Sequence, residues 1–135
     1  MPVSVITCVF WSAVVIVNNY TTSFSNKKPF FIYLPWQAVH APLEAPQNVI
    51  NSFYPKSINN YQRAVKASMV TVLDNAIGDI INAIKNKYNL WDDLLLIFST
   101  DNGGPVYNGE ASSNWPLRGG KATLWEGGLR GDSFI

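Results

Sequence analysis

The stretch LLLIFSTDNGG, residues 94–104, decides how this chain is read. Leu94 to Phe98 is continuously apolar, the signature of a strand covered on both faces in a parallel sheet. The run then ends in an acid, an amide and two glycines. In an open α/β sheet, ligands gather beyond the carboxyl ends of the strands, so Asp101 and Asn102 stand where a ligand would. Both offer hard oxygen donors, suited to calcium or magnesium rather than zinc. Gly103 and Gly104 let the backbone turn sharply and approach a ligand closely. The competing reading is a hairpin, because Asn-Gly is a strong turn dipeptide. The residues that follow, PVYNGEASSNW, do not alternate as a return strand should. On local sequence both readings stay open.

Upstream, Tyr61, Val65, Met69, Val72, Ala76, Ile80 and Ile84 recur every three or four residues, and Leu73, Ile77 and Ile81 widen the stripe. Most charges in this stretch fall elsewhere on the wheel. The pattern predicts an amphipathic helix over Tyr61 to Ile84, lying on a core. Before it, PFFIYLPW predicts a short buried strand from Phe30 to Leu34, stopped by Pro35. Residues 36–58, rich in proline and asparagine, predict a long loop. Strand, helix, strand in this order is a right-handed crossover unit. Parallel strands would bring Gln37-Ala38-Val39-His40 and Asp101-Asn102-Gly103-Gly104 to the same sheet edge. Beyond Gly103 the chain predicts mostly loop, with Leu129 to Ile135 starting a further strand.

The 135 residues are enough for one small domain. At 47% hydrophobic and 14% charged, the chain can bury a core. A net charge of +1, with no basic stripe, argues against a nucleic-acid partner. The single cysteine, Cys8, makes no internal disulfide and belongs to no zinc cluster. Residues 1–19 form a separate apolar segment, and 20–135 the domain. Val3 to Val17 is short for a bilayer span of about 20 residues, and it lacks the basic start and small-residue end of a signal peptide. It reads as a weak signal or anchor, a buried element, or an unrelated start. Asn19-Tyr20-Thr21 is a glycosylation sequon, relevant only in a secreted chain.

Two more side chains are candidates. His40, the only histidine, follows the first strand. Its bland reading is structural. Lys121, in Arg118-Gly119-Gly120-Lys121, is placed to meet an oxyanion, against a bland reading as a solvated loop charge. The lysine is not part of a phosphate loop, since Trp115 stands where that motif needs glycine and Ala122 follows.

KPFFIYLPWQAVHAPLEAP, the helix with Asp74 and Gly78, LLIFSTDNGG and NWPLRGGKATLWEGGLRG together resemble the type I sulfatases, in particular the arylsulfatase B-like branch. The likeness runs from about Tyr20 to Ile135. It implies an α/β alkaline-phosphatase-like fold: a three-layer sandwich with a mostly parallel central sheet, incomplete in this chain. It also implies calcium-dependent hydrolysis of sulfuric esters, with a sulfated small molecule or glycan as substrate, in a lysosomal or secreted protein. By the resemblance, Asp101 and Asn102 match calcium ligands, while His40 and Lys121 match the residues that contact the sulfate group. The family's nucleophile, a formylglycine, is made from the cysteine of C-x-P-S-R. Cys8 lies in Cys8-Val9-Phe10-Trp11-Ser12 and does not match. The family's amino-terminal aspartate pair, its further pocket residues and its carboxy-terminal subdomain have no counterpart either. The chain therefore reads as an interior third of a sulfatase, inactive by itself. The alternatives are a non-catalytic remnant or binding module on the same fold, and a membrane-anchored stub.

Overall fold

A computed structural model describes residues 31–87, 91–107 and 111–135. The apolar segment 1–19, the sequon at Asn19 and the first residue of the expected Phe30–Leu34 strand lie outside them. Along the chain come helix α1, Gln47–Phe53; helix α2, Tyr61–Asn82, which runs into a π-helical turn at Ala83–Lys87; a 3-10 turn at Trp91–Asp93; strand β1, Phe98–Ser99; helix α3, Glu126–Leu129; and strand β2, Ser133–Phe134.

Helix α2 starts where its sequence says it should. Asn60 holds extended backbone (φ −115°, ψ 118°), and its side chain accepts a hydrogen bond from Arg63 N at 2.9 Å. This satisfies one of the otherwise unpartnered amides of the first turn. Val65 and Met69 are buried against Ile50 of α1, with Ala38, Val39, Leu43 and Ala45 closing the cluster. Ser68 is fully buried within the same helix. Its hydroxyl donates to Ala64 O at 2.7 Å, so no polar atom is stranded. Tyr61–Asn86 is also long and apolar enough to cross a membrane, at mean hydropathy 1.2. Of that apolar window 22% is buried, Val65 and Met69 in the core cluster among it.

Helix α1 corrects the expectation of a loop across residues 36–58. Pro46, at φ −58°, precedes it, and the Pro46 carbonyl accepts from Val49 N and Ile50 N at 2.9 and 3.1 Å. Ile50 and Phe53 recur at helical spacing on one side. Asparagine and proline conceal that short stripe.

The two expected strands are also corrected. Residues 31–37 carry no regular secondary structure, and no ladder joins them to a described strand. Leu94–Phe98 is not covered on both faces. Leu94, Leu96 and Phe98 are half-buried, while Leu95 is 72% and Ile97 61% exposed. The ladder starts only at Phe98. It pairs antiparallel with β2, Phe98 opposite Phe134 and Ser99 opposite Ser133. The two phenylalanine rings stack at 5.1 Å, and Thr100 N donates to Asp132 O at 3.0 Å beyond them. The sheet among the described residues is thus this one antiparallel pair, a small part of the expected sandwich. Among the described residues no strand runs beside Leu94–Ile97, which leaves the outer face of that run open.

Candidate functional site

The Asp101–Gly104 turn leaves β1 and meets the loop that precedes α3. Gly103 is buried, and its N–H donates to Gly128 O at 3.0 Å. A methyl group there would run into the Gly127 carbonyl, with Gly127 C only 2.7 Å away. The two backbones touch because neither residue has a side chain. Gly104 O accepts from Lys121 N at 3.1 Å. A Cβ on Gly120 would lie 2.6 Å from that same oxygen, so this contact too depends on glycine.

Asn114 lies between the two segments. Its Oδ1 accepts from Gly104 N at 2.8 Å, and its Nδ2 donates to Gly104 O at 2.7 Å and to Gly119 O at 3.2 Å. The lysine-bearing loop is braced from within. Gly120 N donates to Thr123 Oγ1, and that hydroxyl donates back to Gly120 O at 2.7 Å. Gly127 N donates to Arg118 O at 2.8 Å. The Arg118 guanidinium sits 3.5 Å from the centre of the Trp125 ring, a cation–π contact. Gly119 takes φ +78° and Ala122 takes φ 69°. An alanine in the left-handed region costs about 1 kcal/mol, and this one directly follows Lys121.

Asp101 is exposed at the turn. Asn102 is half-buried and donates from Nδ2 to Gly103 O at 2.8 Å, which leaves its Oδ1 as the end for a cation. The two supply hard oxygens of the right chemistry for calcium, a part of the roughly six to eight it takes. Among the described residues no group of three His, Cys, Asp or Glu side chains comes together.

His40 lies elsewhere along the same frame. Its N–H closes a turn onto Gln37 O at 2.9 Å, and its ring Nδ1 is 2.8 Å from Ala41 O. A carbonyl only accepts, so Nδ1 carries the proton. Among the described residues no hydrogen bond joins His40 to Asp101, Asn102 or Lys121. The N-terminal half of α2 connects the two regions. Val39 beside His40 packs against the cluster of Ile50, Val65 and Met69, and the residue after Val65 on the helix, Lys66, donates to Ser112 Oγ at 2.8 Å. Ser112 in turn abuts Gly104. Nothing in the local sequence assigns a role to Asn114, Lys66 or the Gly127–Gly128 pair. Only the block NWPLRGGKATLWEGGLRG points toward Asn114 and the glycine pair.

The frame is alkaline-phosphatase-like. A crystal structure of Ps i-CgsB in complex with k-i-k-neocarrahexaose superposes with a TM-score of 0.85 at 33% identity, covering 96% of this chain and 27% of that one. A family model for sulfatases matches residues 14–135, and the chain belongs to the sulfatase family. Arylsulfatase J of Mus musculus is 44% identical over 119 residues, which is 88% of this chain and 19% of the relative. N-acetylgalactosamine-6-sulfatase of Mus musculus is 28% identical, over 81% of this chain and 20% of the relative. The chain thus spans about a fifth of the length of these curated relatives, less than the third expected from its motifs.

Proposed function

We propose that these residues form part of the pocket of an enzyme that hydrolyses sulfuric esters of glycans, and that they do not turn substrate over by themselves. In this reading Asp101 and Asn102 contribute to a calcium site, and His40 and Lys121 hold the sulfate group. The observation that supports it most is the direct bond from Lys121 N to Gly104 O. It fixes the loop that carries the ammonium to the turn that carries the oxygen donors. Relatives called arylsulfatase J and N-acetylgalactosamine-6-sulfatase support the reaction class. The oligosaccharide bound in the Ps i-CgsB crystal supports a glycan.

Hydrolysis breaks the ester S–O bond with addition of the elements of water, giving an alcohol and sulfate. Negative charge grows on the departing oxygen and on the sulfate oxygens. A bound calcium ion supplies Lewis-acid stabilisation of that charge. Lys121 adds an ammonium held by a braced backbone, so little reorganisation is needed as charge develops. His40 donates from Nδ1 to Ala41 O. In this reading Nε2, the ring nitrogen not engaged by Ala41 O, is the one that meets a sulfate oxygen. The sequence holds no C-x-P-S-R motif around Cys8, and no nucleophile is assigned to these residues.

A sulfatase-fold binding module without turnover is the second reading, favoured by the two-residue donor set. Turnover separates the two. An enzyme completed with a C-x-P-S-R block is assayed on p-nitrophenyl sulfate with calcium and with chelator, alongside Lys121→Ala and His40→Ala. The hydrolase reading expects calcium-dependent release of sulfate and a fall of about 100-fold or more in kcat for each variant. Sulfate binding without release in every sample would favour the module. We place the protein in the lysosome or outside the cell. A mobility shift on glycosidase treatment, lost in Asn19→Gln, would test that placement.

A further inference from the structure

We propose that Asn114 is a positioning residue: its side-chain amide fastens the Asp101–Gly104 turn to the Arg118–Lys121 loop and so sets the oxygen donors and the Lys121 ammonium in one frame. The proposal rests on reading Asp101, Asn102 and Lys121 as site residues.

The chemistry of the contact is specific to asparagine. A primary amide offers one accepting oxygen and two N–H donors. Oδ1 takes the Gly104 N–H, and Nδ2 serves both the Gly104 and Gly119 carbonyls. The pairing with Gly104 is reciprocal, as between two peptide groups in a sheet. Turning the amide over would set donor against donor and acceptor against acceptor, so its orientation is fixed. An aspartate in its place would lack both donors, a glutamine would be one methylene too long, and a leucine would leave the Gly104 N–H and the Gly119 carbonyl without these partners.

The tie converges on one atom. Gly104 O accepts from Asn114 Nδ2 and from Lys121 N at 3.1 Å. Its two lone pairs are thereby used, one by the latch and one by the lysine's own backbone. Asn114 is itself anchored, because its carbonyl accepts from Leu117 N at 2.8 Å. A Cβ on Gly120 would come within 2.9 Å of Asn114 Nδ2. The loop therefore closes on the latch only because residue 120 is glycine.

The test is site-resolved amide hydrogen exchange by NMR on the whole chain, comparing wild type with Asn114→Ala and Asn114→Asp. Asn114→Ala is expected to speed exchange of the Gly104 and Lys121 N–H groups roughly tenfold. The α2 amides of Ala64 and Ser68 are expected to keep their rates. Asn114→Asp keeps an acceptor for Gly104 N–H and loses both donors. Gly104 should stay protected while Lys121 exchanges faster. A residue that merely stabilises the fold would raise all four amides together, and that outcome would overturn the proposal. So would unchanged rates at Gly104 and Lys121. If Asn114→Ala fails to fold, the isosteric Asn114→Asp carries the comparison. No substrate is present in this measurement. Absence of turnover would sink the hydrolase reading and leave the latch to be judged on these four amides.

Discussion

Gly103 and Gly78 make a matched pair, because alanine at each should act with opposite sign. At Gly103 the added methyl would overlap the Gly127 carbonyl, with Gly127 C at 2.7 Å and Gly128 Cα at 3.3 Å. Carbon atoms at rest sit about 3.5 Å or more apart, so relieving the Gly127 C contact alone needs roughly 0.8 Å, and the carbonyl oxygen, nearer still, needs more. Both neighbours are backbone, and no side chain can swing aside. Overpacking of this kind costs about 1–3 kcal/mol. The separation also stretches the 3.0 Å bond from Gly103 N to Gly128 O, worth about 1 kcal/mol. Gly103→Ala should therefore lose about 2–4 kcal/mol. At Gly78, inside α2, a methyl would meet nothing within 4 Å. Gly78→Ala should gain about 0.5–1 kcal/mol from helix propensity and reduced freedom of the unfolded chain. Urea unfolding followed by circular dichroism reads both, the midpoint falling for the first variant and rising for the second. Equal midpoints for Gly103→Ala and wild type would show that the turn and the glycine pair are not in contact.

Met69→Ala removes a side chain that is 4% exposed in the Ile50–Val65 cluster, and should cost about 2–5 kcal/mol in the same assay. Ala122→Gly relieves the left-handed backbone at φ 69° and should raise the midpoint by an amount equivalent to about 1 kcal/mol. Asp101→Asn removes the only carboxylate of the donor pair. It should weaken calcium binding by about tenfold or more in a calorimetric titration, leaving the unfolding midpoint of the calcium-free protein within about 0.5 kcal/mol of wild type.

The long helix is legible because its stripe repeats over roughly six turns. Helix α1 is not, because its stripe is one turn long and lies among prolines and asparagines. The run Leu94–Phe98 reads as a central strand because apolar runs report the cover a fold provides, not the ladder present. In these residues the pairing starts only at Phe98, and Leu95 and Ile97 face outward. At the site, the donor types of Asp101, Asn102, His40 and Lys121 are visible one by one. The partnership of Gly104 with Lys121 is not, since no local pattern encodes a contact between glycine-rich segments 17 residues apart in sequence. Asn114 escapes notice for a related reason: an asparagine before Trp-Pro reads as turn chemistry. Its function as a latch exists only once the two backbones meet.

The most direct test of the shared frame is an NMR titration of the protein with calcium chloride and then with sodium sulfate, followed at every backbone amide. The account predicts that millimolar calcium shifts Asp101 and Asn102 first, and that sulfate then shifts Gly120, Lys121 and His40. Shifts confined to other parts of the chain, or sulfate binding that leaves Lys121 and His40 unmoved, would contradict it.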